Sequence, residues 1–225
     1  LNLYANEISD ISSVANLTDL TELRLGDNEI SNITAVANLT GLTFLGLDQW
    51  DGENKISDIS AVANLTDLAE LSLVRNSISD ISAVANLINL TALRLGHNEI
   101  SDISAVANLT NLTDLDLYNN QLSDISVLAN LTNLTYLDLH TNQIGDISAL
   151  ANLTNLDYLR LGDSYGQGGK MKISDIAAVA NLTQLTYLGL WGNKISDISP
   201  VAKLTNLRQL DLNNNQISDI SALSN

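Results

Sequence analysis

The chain has 225 residues, 45% apolar and only 4% aromatic, so it can fill a continuous core but must fill it with aliphatic side chains. Its formal net charge of −16, from 10 basic and 26 acidic residues, argues against nucleic acid, whose phosphates require clustered Lys and Arg, and against an anionic membrane surface. The absence of cysteine excludes disulfides, thiolate metal sites and a cysteine nucleophile, and no apolar run approaches the roughly 18 residues of a membrane span.

In chain order the elements repeat. The first pair, Leu1/Leu3, is followed by Leu23/Leu25, Leu45/Leu47, Leu71/Leu73, Leu93/Leu95, Leu115/Leu117, Leu137/Leu139, Leu159/Leu161, Leu188/Leu190 and Leu210/Leu212. The step is 22 residues except for 26 from Leu45 to Leu71 and 29 from Leu159 to Leu188. Leu-x-Leu alternates at the strand period, so both leucines turn inward and their neighbours outward. Three residues on stands Asn (Asn6, Asn28, Asn76, Asn98, Asn120, Asn142, Asn193 and Asn215). It is expected as a buried ladder whose amides satisfy backbone groups where the chain leaves the strand. A 22-residue coil is too short for a full helical return, so the Ser-Asp-Ile-Ser stretch, as in residues 102–107, predicts a short 3₁₀-like turn. Ile103, Val106, Leu109 and Leu112 complete the interior of that coil. At ~4.8 Å per strand, ten stacked coils predict a parallel sheet roughly 45 Å long.

The unit Leu-x-x-Leu-x-Leu-x-x-Asn-x-Ile-Ser-Asp-Ile-Ser-x-Val-Ala-Asn-Leu-Thr-Asn resembles the 22-residue internalin-type repeats of bacterial surface proteins, over the whole chain. It is also similar to the phosphatase-regulator class of 22-residue repeats. The resemblance implies an α/β repeat solenoid of about ten coils. That solenoid would be a right-handed leucine-rich-repeat horseshoe, with a parallel sheet on the concave face and short 3₁₀ or turn segments on the convex face. It implies a non-enzymatic recognition module, binding a protein or a glycan on the concave sheet, in a bacterial surface or secreted protein. An intracellular scaffold or regulatory arm of a larger protein is the alternative, and a structural array without a ligand is a third reading. Family members carry an N-terminal cap and often a C-terminal domain. The expectation here is a single leucine-rich-repeat domain, 1–225, that is a fragment without its caps. The two uneven steps argue against an engineered consensus array.

Two regular features belong first to the scaffold. Asp10, Asp58, Asp80, Asp102, Asp124, Asp146, Asp175, Asp197 and Asp219 form a second ladder, with Asn32 in the gap. Turn and N-cap chemistry explains it, and calcium collection by stacked carboxylates is the alternative. Eleven Asn-x-Thr sequons read as repeat grammar in a protein that never meets eukaryotic glycosylation, which favours a prokaryotic source.

Information about function then lies at the outward strand positions. Tyr118, Tyr136, His140, Tyr158, Tyr187 and Trp191 fall on one surface across neighbouring coils, with nowhere in the pattern to be buried. With Asp138 and Arg160 they have the composition of a protein-binding hot spot, or of a platform for sugar rings. Mutual cover of strand-favouring aromatics is the plainer alternative. The longer coils add rim loops carrying Trp50 and Tyr165, both expected to leave the sheet at the same rim. Met171 takes the place of the ladder Asn, predicting a local break. Catalysis finds no support. His97 and His140 lie in no recognisable motif, and a flat sheet offers no water-excluded cleft for a site at Asp114, Asp116, Asp138 and His140. No cofactor or resident metal is expected, and the glycine-rich insertion lacks the Gly-Lys-Ser/Thr ending of a phosphate loop.

Overall fold

The computed structural model describes residues 1–50, 55–163 and 171–224. Contacts divide the chain into two compact units, Leu1–Asp114 and Leu115–Asn225, each a stack of the same coil. In the first unit the Leu-x-Leu segments form β1 (Glu22–Arg24), β2 (Phe44–Gly46), β3 (Glu70–Ser72) and β4 (Ala92–Arg94). At the boundary between the units lies β5 (Asp114–Asp116). The second unit holds β6 (Tyr136–Asp138), β7 (Tyr158–Arg160), β8 (Tyr187–Gly189) and β9 (Gln209–Asp211). Within each unit neighbours pair in parallel and in register, leucine on leucine, as at Leu23, Leu45, Leu71 and Leu93 or Leu137, Leu159, Leu188 and Leu210. The expected parallel sheet is therefore present. The first pair makes no strand of its own; Asn2 forms an isolated parallel bridge to Arg24.

The inward leucines of β1 to β8 and their partners Leu25 to Leu190 are fully buried, as are Val106, Leu109 and Leu112 on the return path. Burying each such side chain contributes roughly 2 kcal/mol. Successive coils share these contacts, so the core is a ribbon that runs the length of each unit.

Short 3₁₀ turns close the coils, among them Ser60–Val62, Ser104–Val106 and Ser148–Asn152. The aspartate ladder starts them, but one residue earlier than a true N-cap. The capping position is an isoleucine with no side-chain bond. The preceding carboxylate accepts the N–H two residues on, Asp58 from Ser60 and Asp146 from Ser148, both at 2.8 Å. This is an Asx turn. Donation from the serine backbone, and then from its hydroxyl, lowers the Asp58 and Asp146 pKa values below the usual carboxylate range. Among the described residues no group of three or more His, Asp or Glu side chains is placed to hold a metal ion.

The Asn ladder has the expected role. Asn142 is wholly buried; its Nδ2 donates to the carbonyls of Leu117 and Leu139 at 3.0 and 2.9 Å, and its Oδ1 accepts the Leu122 N–H at 3.0 Å. Met171 breaks the series. It is buried at the ladder position, and its own N–H donates to Asp163 Oδ2 at 3.2 Å. Among the described residues nothing accepts the Ile144 N–H in the way Asn142 serves Leu122.

Two further columns have no counterpart in the sequence reading. Two residues past the second leucine the backbone is left-handed at Ala5, Asp27, Arg75, His97, Asn119, Thr141, Gly192 and Asn214. Gln49 and Asp163, which hold that position before the two insertions, lack it. On the return side a second asparagine series donates to carbonyls of the preceding coil, Asn89 to Thr66 and Asn155 to Thr132, both at 2.9 Å.

Candidate binding face

The strand register decides which side chains meet. In the second unit Tyr136, Tyr158 and Tyr187 stand on one line of the sheet. Their rings stack face to face, with centroids 4.7 and 4.4 Å apart and planes within 11°. Each ring is half-buried, and the stacked faces are closed to solvent by one another. What the row presents outward is ring edges and hydroxyls. Burial, reinforced by the Asp138 and Asp116 carboxylates, pushes the Tyr136 pKa far above the usual phenol value; burial also raises that of Tyr158. The Tyr136 and Tyr158 hydroxyls are therefore neutral donors and acceptors at any physiological pH.

A second file runs beside the first. Tyr118 stacks on His140 with centroids 5.0 Å apart and planes 3° apart, and Trp191 leans against the other side of His140 at 5.9 Å and 45°. Trp191 reaches across a coil to do so because Gly162 and Gly189 leave its path clear. A Cβ on either would collide with the indole. Asp138 braces this second file. Its Oδ1 pairs with His140 Nδ1 at 2.6 Å and accepts the His140 N–H at 3.1 Å, while Oδ2 accepts from Arg160 at 3.3 Å. Arg160 in turn lies 5.2 Å over the Trp191 ring.

Two expectations are corrected here. Trp191 is only 9% exposed and Asp138 only 2%, although both sit at outward positions. Large neighbours cover what strand alternation alone would leave open: the indole fills the trough over two glycines, and the carboxylate lies beneath His140 and Arg160. Asp138 is thus buried, and supports His140 and Arg160. Tyr118, Tyr136, His140, Tyr158, Arg160 and Tyr187 are partly accessible, as expected. Of the rim residues, Trp50 is 56% exposed, with Arg75 5.3 Å over its ring. Tyr165 lies outside the described residues.

The first unit presents a different strand face. Arg24 covers the Phe44 ring at 3.9 Å and pairs with Glu22 at 3.3 Å. Arg94 bridges Glu70 and Asp114 at 3.5 and 2.6 Å. Asp48 is largely buried; it accepts from Ser72 Oγ at 2.5 Å and the Val74 N–H at 2.9 Å, and burial raises its pKa. Asp27 accepts from the Tyr4 hydroxyl and from the Trp50 N–H, fixing the entry to the first insertion.

Comparison with known proteins matches a family model for leucine-rich repeats (two copies) at residues 88–130, 110–152 and 170–225. An internalin, InlF, of Listeria monocytogenes is 38% identical over 100% of this chain and 76% of its own, with a TM-score of 0.75. The chain is a leucine-rich-repeat protein with internalin-type repeats. Internalin C2 of the same organism is 40% identical over 84% of this chain and 79% of its own, at a TM-score of 0.77. A leucine-rich-repeat protein of Leptospira interrogans is 27% identical over 97% of this chain and 55% of its own, at 0.86. No curated protein matches the chain.

Leucine-rich-repeat domains are protein-interaction modules and are typically non-enzymatic. In this one, shallow depressions between successive turns, lined by Asp80 and Asp102 or by Asp124 and Asp146, recur with the repeat and belong to its scaffold. The aromatic files occupy positions the repeat leaves free. Among the described residues no helix is long and apolar enough to cross a membrane.

Proposed function

We propose that this leucine-rich-repeat protein is a non-enzymatic recognition module of a bacterial surface or secreted protein, and that it grips a protein partner on the strand face of its second unit. The observation that carries this reading is the pair of aromatic files, one held by its own stacking and the other braced by Asp138. Tyr and Trp offer large, stiff, amphipathic contact area at little entropic cost, which is why they concentrate at hot spots. Buttressed rings lose little further freedom on binding. A glycan is the weaker candidate for this face. Sugar rings stack on open aromatic faces, whereas the stack closes both faces of Tyr158 and one face each of Tyr136 and Tyr187. Edges and hydroxyls suit peptide groups better. Trp50 and Tyr165 belong to the same proposal as rim contacts.

The test is a random-peptide phage library panned against the immobilised chain, with Tyr136, Tyr158 and Tyr187 replaced together by Ser as the comparison protein. Enriched peptides are expected to bind the native face and to lose at least about tenfold on the variant, a change of roughly 1.4 kcal/mol. The variant is expected to melt within a few degrees of the parent. Peptides that bind both proteins equally would overturn the proposal.

A further inference from the structure

A groove of about 580 Å³ runs along the second unit beside the tyrosine row, where the chain enters each strand. Its lining comes from the positions one and three residues ahead of β6, β7, β8 and β9, among them Asn155, Asp157, Gln184, Thr186, Asn206 and Arg208. Its Asn and Thr positions belong to the repeat, recurring as Asn89 and Thr91 ahead of β4 and as Asn111 and Thr113 ahead of β5; what is particular to this groove is Asp157, Gln184 and Arg208. The equivalent positions ahead of β2 and β3 carry Gly41, Thr43, Asp67 and Ala69, which are small or acidic.

The side chains are polar, and half of those named are held. Asn155 and Asn206 donate Nδ2 to the carbonyls of Thr132 and Thr183 at 2.9 and 2.8 Å, so each amide plane is fixed and its Oδ1 is left as an acceptor. Thr186 donates Oγ1 to the Asp157 carbonyl at 3.4 Å. Among the described residues the side chains of Gln184, Asp157 and Arg208 have no partner, which adds two further acceptor groups and seven further N–H donors. One carboxylate and one guanidinium cancel in charge. Phosphate-rich ligands are disfavoured by the lone cation. Peptide segments are disfavoured because the groove has no deep apolar pocket for an anchor side chain. Interleaved donors and acceptors without net charge match a ligand whose every unit carries hydroxyls that both donate and accept.

We infer that this groove binds a neutral oligosaccharide, lying across the coils of the second unit. The site is separate from the aromatic face and stands whether or not that face binds protein.

The test is an array of neutral, sialylated and sulfated glycans probed with the labelled full chain. Retention of neutral oligosaccharides is expected. Asp157→Ala and Arg208→Ala, both exposed changes that should leave the melting temperature unaltered, are each expected to weaken retention at least about tenfold, and Gln184→Ala to weaken it less. The triple Tyr→Ser variant should retain the same glycans within about twofold, which separates this site from the aromatic face. Retention of charged glycans alone, of no glycan, or of neutral glycans equally by the Asp157→Ala and Arg208→Ala proteins would overturn the inference, as would loss confined to the tyrosine variant.

Discussion

The two units are built from the same coil, yet their strand faces solve different problems. The first unit has 16 acidic and 4 basic residues, a net −12; the second has 10 and 6, a net −4. On the first face the charges answer one another in pairs that water still reaches: the side chains of Arg94, Glu70 and Asp114 are 34, 45 and 26% exposed. On the second, one carboxylate that is 3% exposed organises a histidine, an arginine and, through them, a tryptophan. Exposed pairs contribute little to stability, and a buried charge is tolerated only with its partners in place. Apart from the largely buried Asp48, the first face is therefore hydrated at its ion pairs, whereas the second is organised around a desolvated carboxylate. Preorganisation is what an interface needs, and it marks the second unit.

The sharpest way to break this contrast is to remove the central charge of each face. Asp138→Ala strips His140 and Arg160 of their partner and should lower stability by about 2–3 kcal/mol, a breaking cost discounted for the partial exposure of Arg160. Arg94→Ala in the first unit should cost about 1 kcal/mol or less. Urea unfolding of both variants measures the difference; equal losses would mean that Asp138 is not a support. A smaller effect is expected from the glycines. Gly162→Ala drives a Cβ into the Trp191 ring and should expel the indole, at a cost of about 2 kcal/mol with a red shift in its fluorescence. Gly46→Ala meets only the far end of the Phe44 ring, 2.9 Å away, which can swing aside, so its cost should stay near that of a surface change. An unshifted spectrum in Gly162→Ala would show that the indole does not depend on the trough.

The scaffold was legible because the repeat states it ten times: leucine columns, buried asparagine and a return too short for a helix. The break at Met171 could be read from one residue. The left-handed column could not, because Ala5, Arg75, His97 and Thr141 share no chemistry with Asp27 or Gly192, and the backbone there is imposed by the coil. The binding face was half visible. Strand alternation put Trp191 and Asp138 outward, and so exposed, because alternation knows direction but not the bulk of neighbours. The missing signal was present in Gly162 and Gly189: two glycines at outward strand positions flanking a tryptophan leave a trough of indole size. Asp138 gave no such signal, since nothing in a single sequence says that His140 and Arg160 will close over it.

Acid should separate the units by a smaller margin. Asp10, Asp58 and Asp80 in the first unit, and Asp124, Asp146, Asp197 and Asp219 in the second, have folded pKa values below their ordinary 3.8, because serine N–H groups and then hydroxyls donate to them. Each stabilises its unit fully above 3.8, and that stabilisation is lost as pH falls through the lowered folded value. Asp48, in the first unit, has the opposite sign. Burial raises its folded pKa, so its charged form is penalised, and the penalty is relieved as pH falls through the raised value. His97, lowered by burial and by Arg75, resists protonation and works against the first unit in acid, so the comparison belongs in a His97→Gln background. There, hydrogen exchange corrected for intrinsic rates should show the second unit losing more protection than the first between pH 5 and pH 3, values that bracket the ordinary carboxylate range. Asp48→Asn should narrow the gap by removing the relief that only the first unit enjoys. A gap that survives Asp48→Asn unchanged would assign the difference to the aspartate ladder alone.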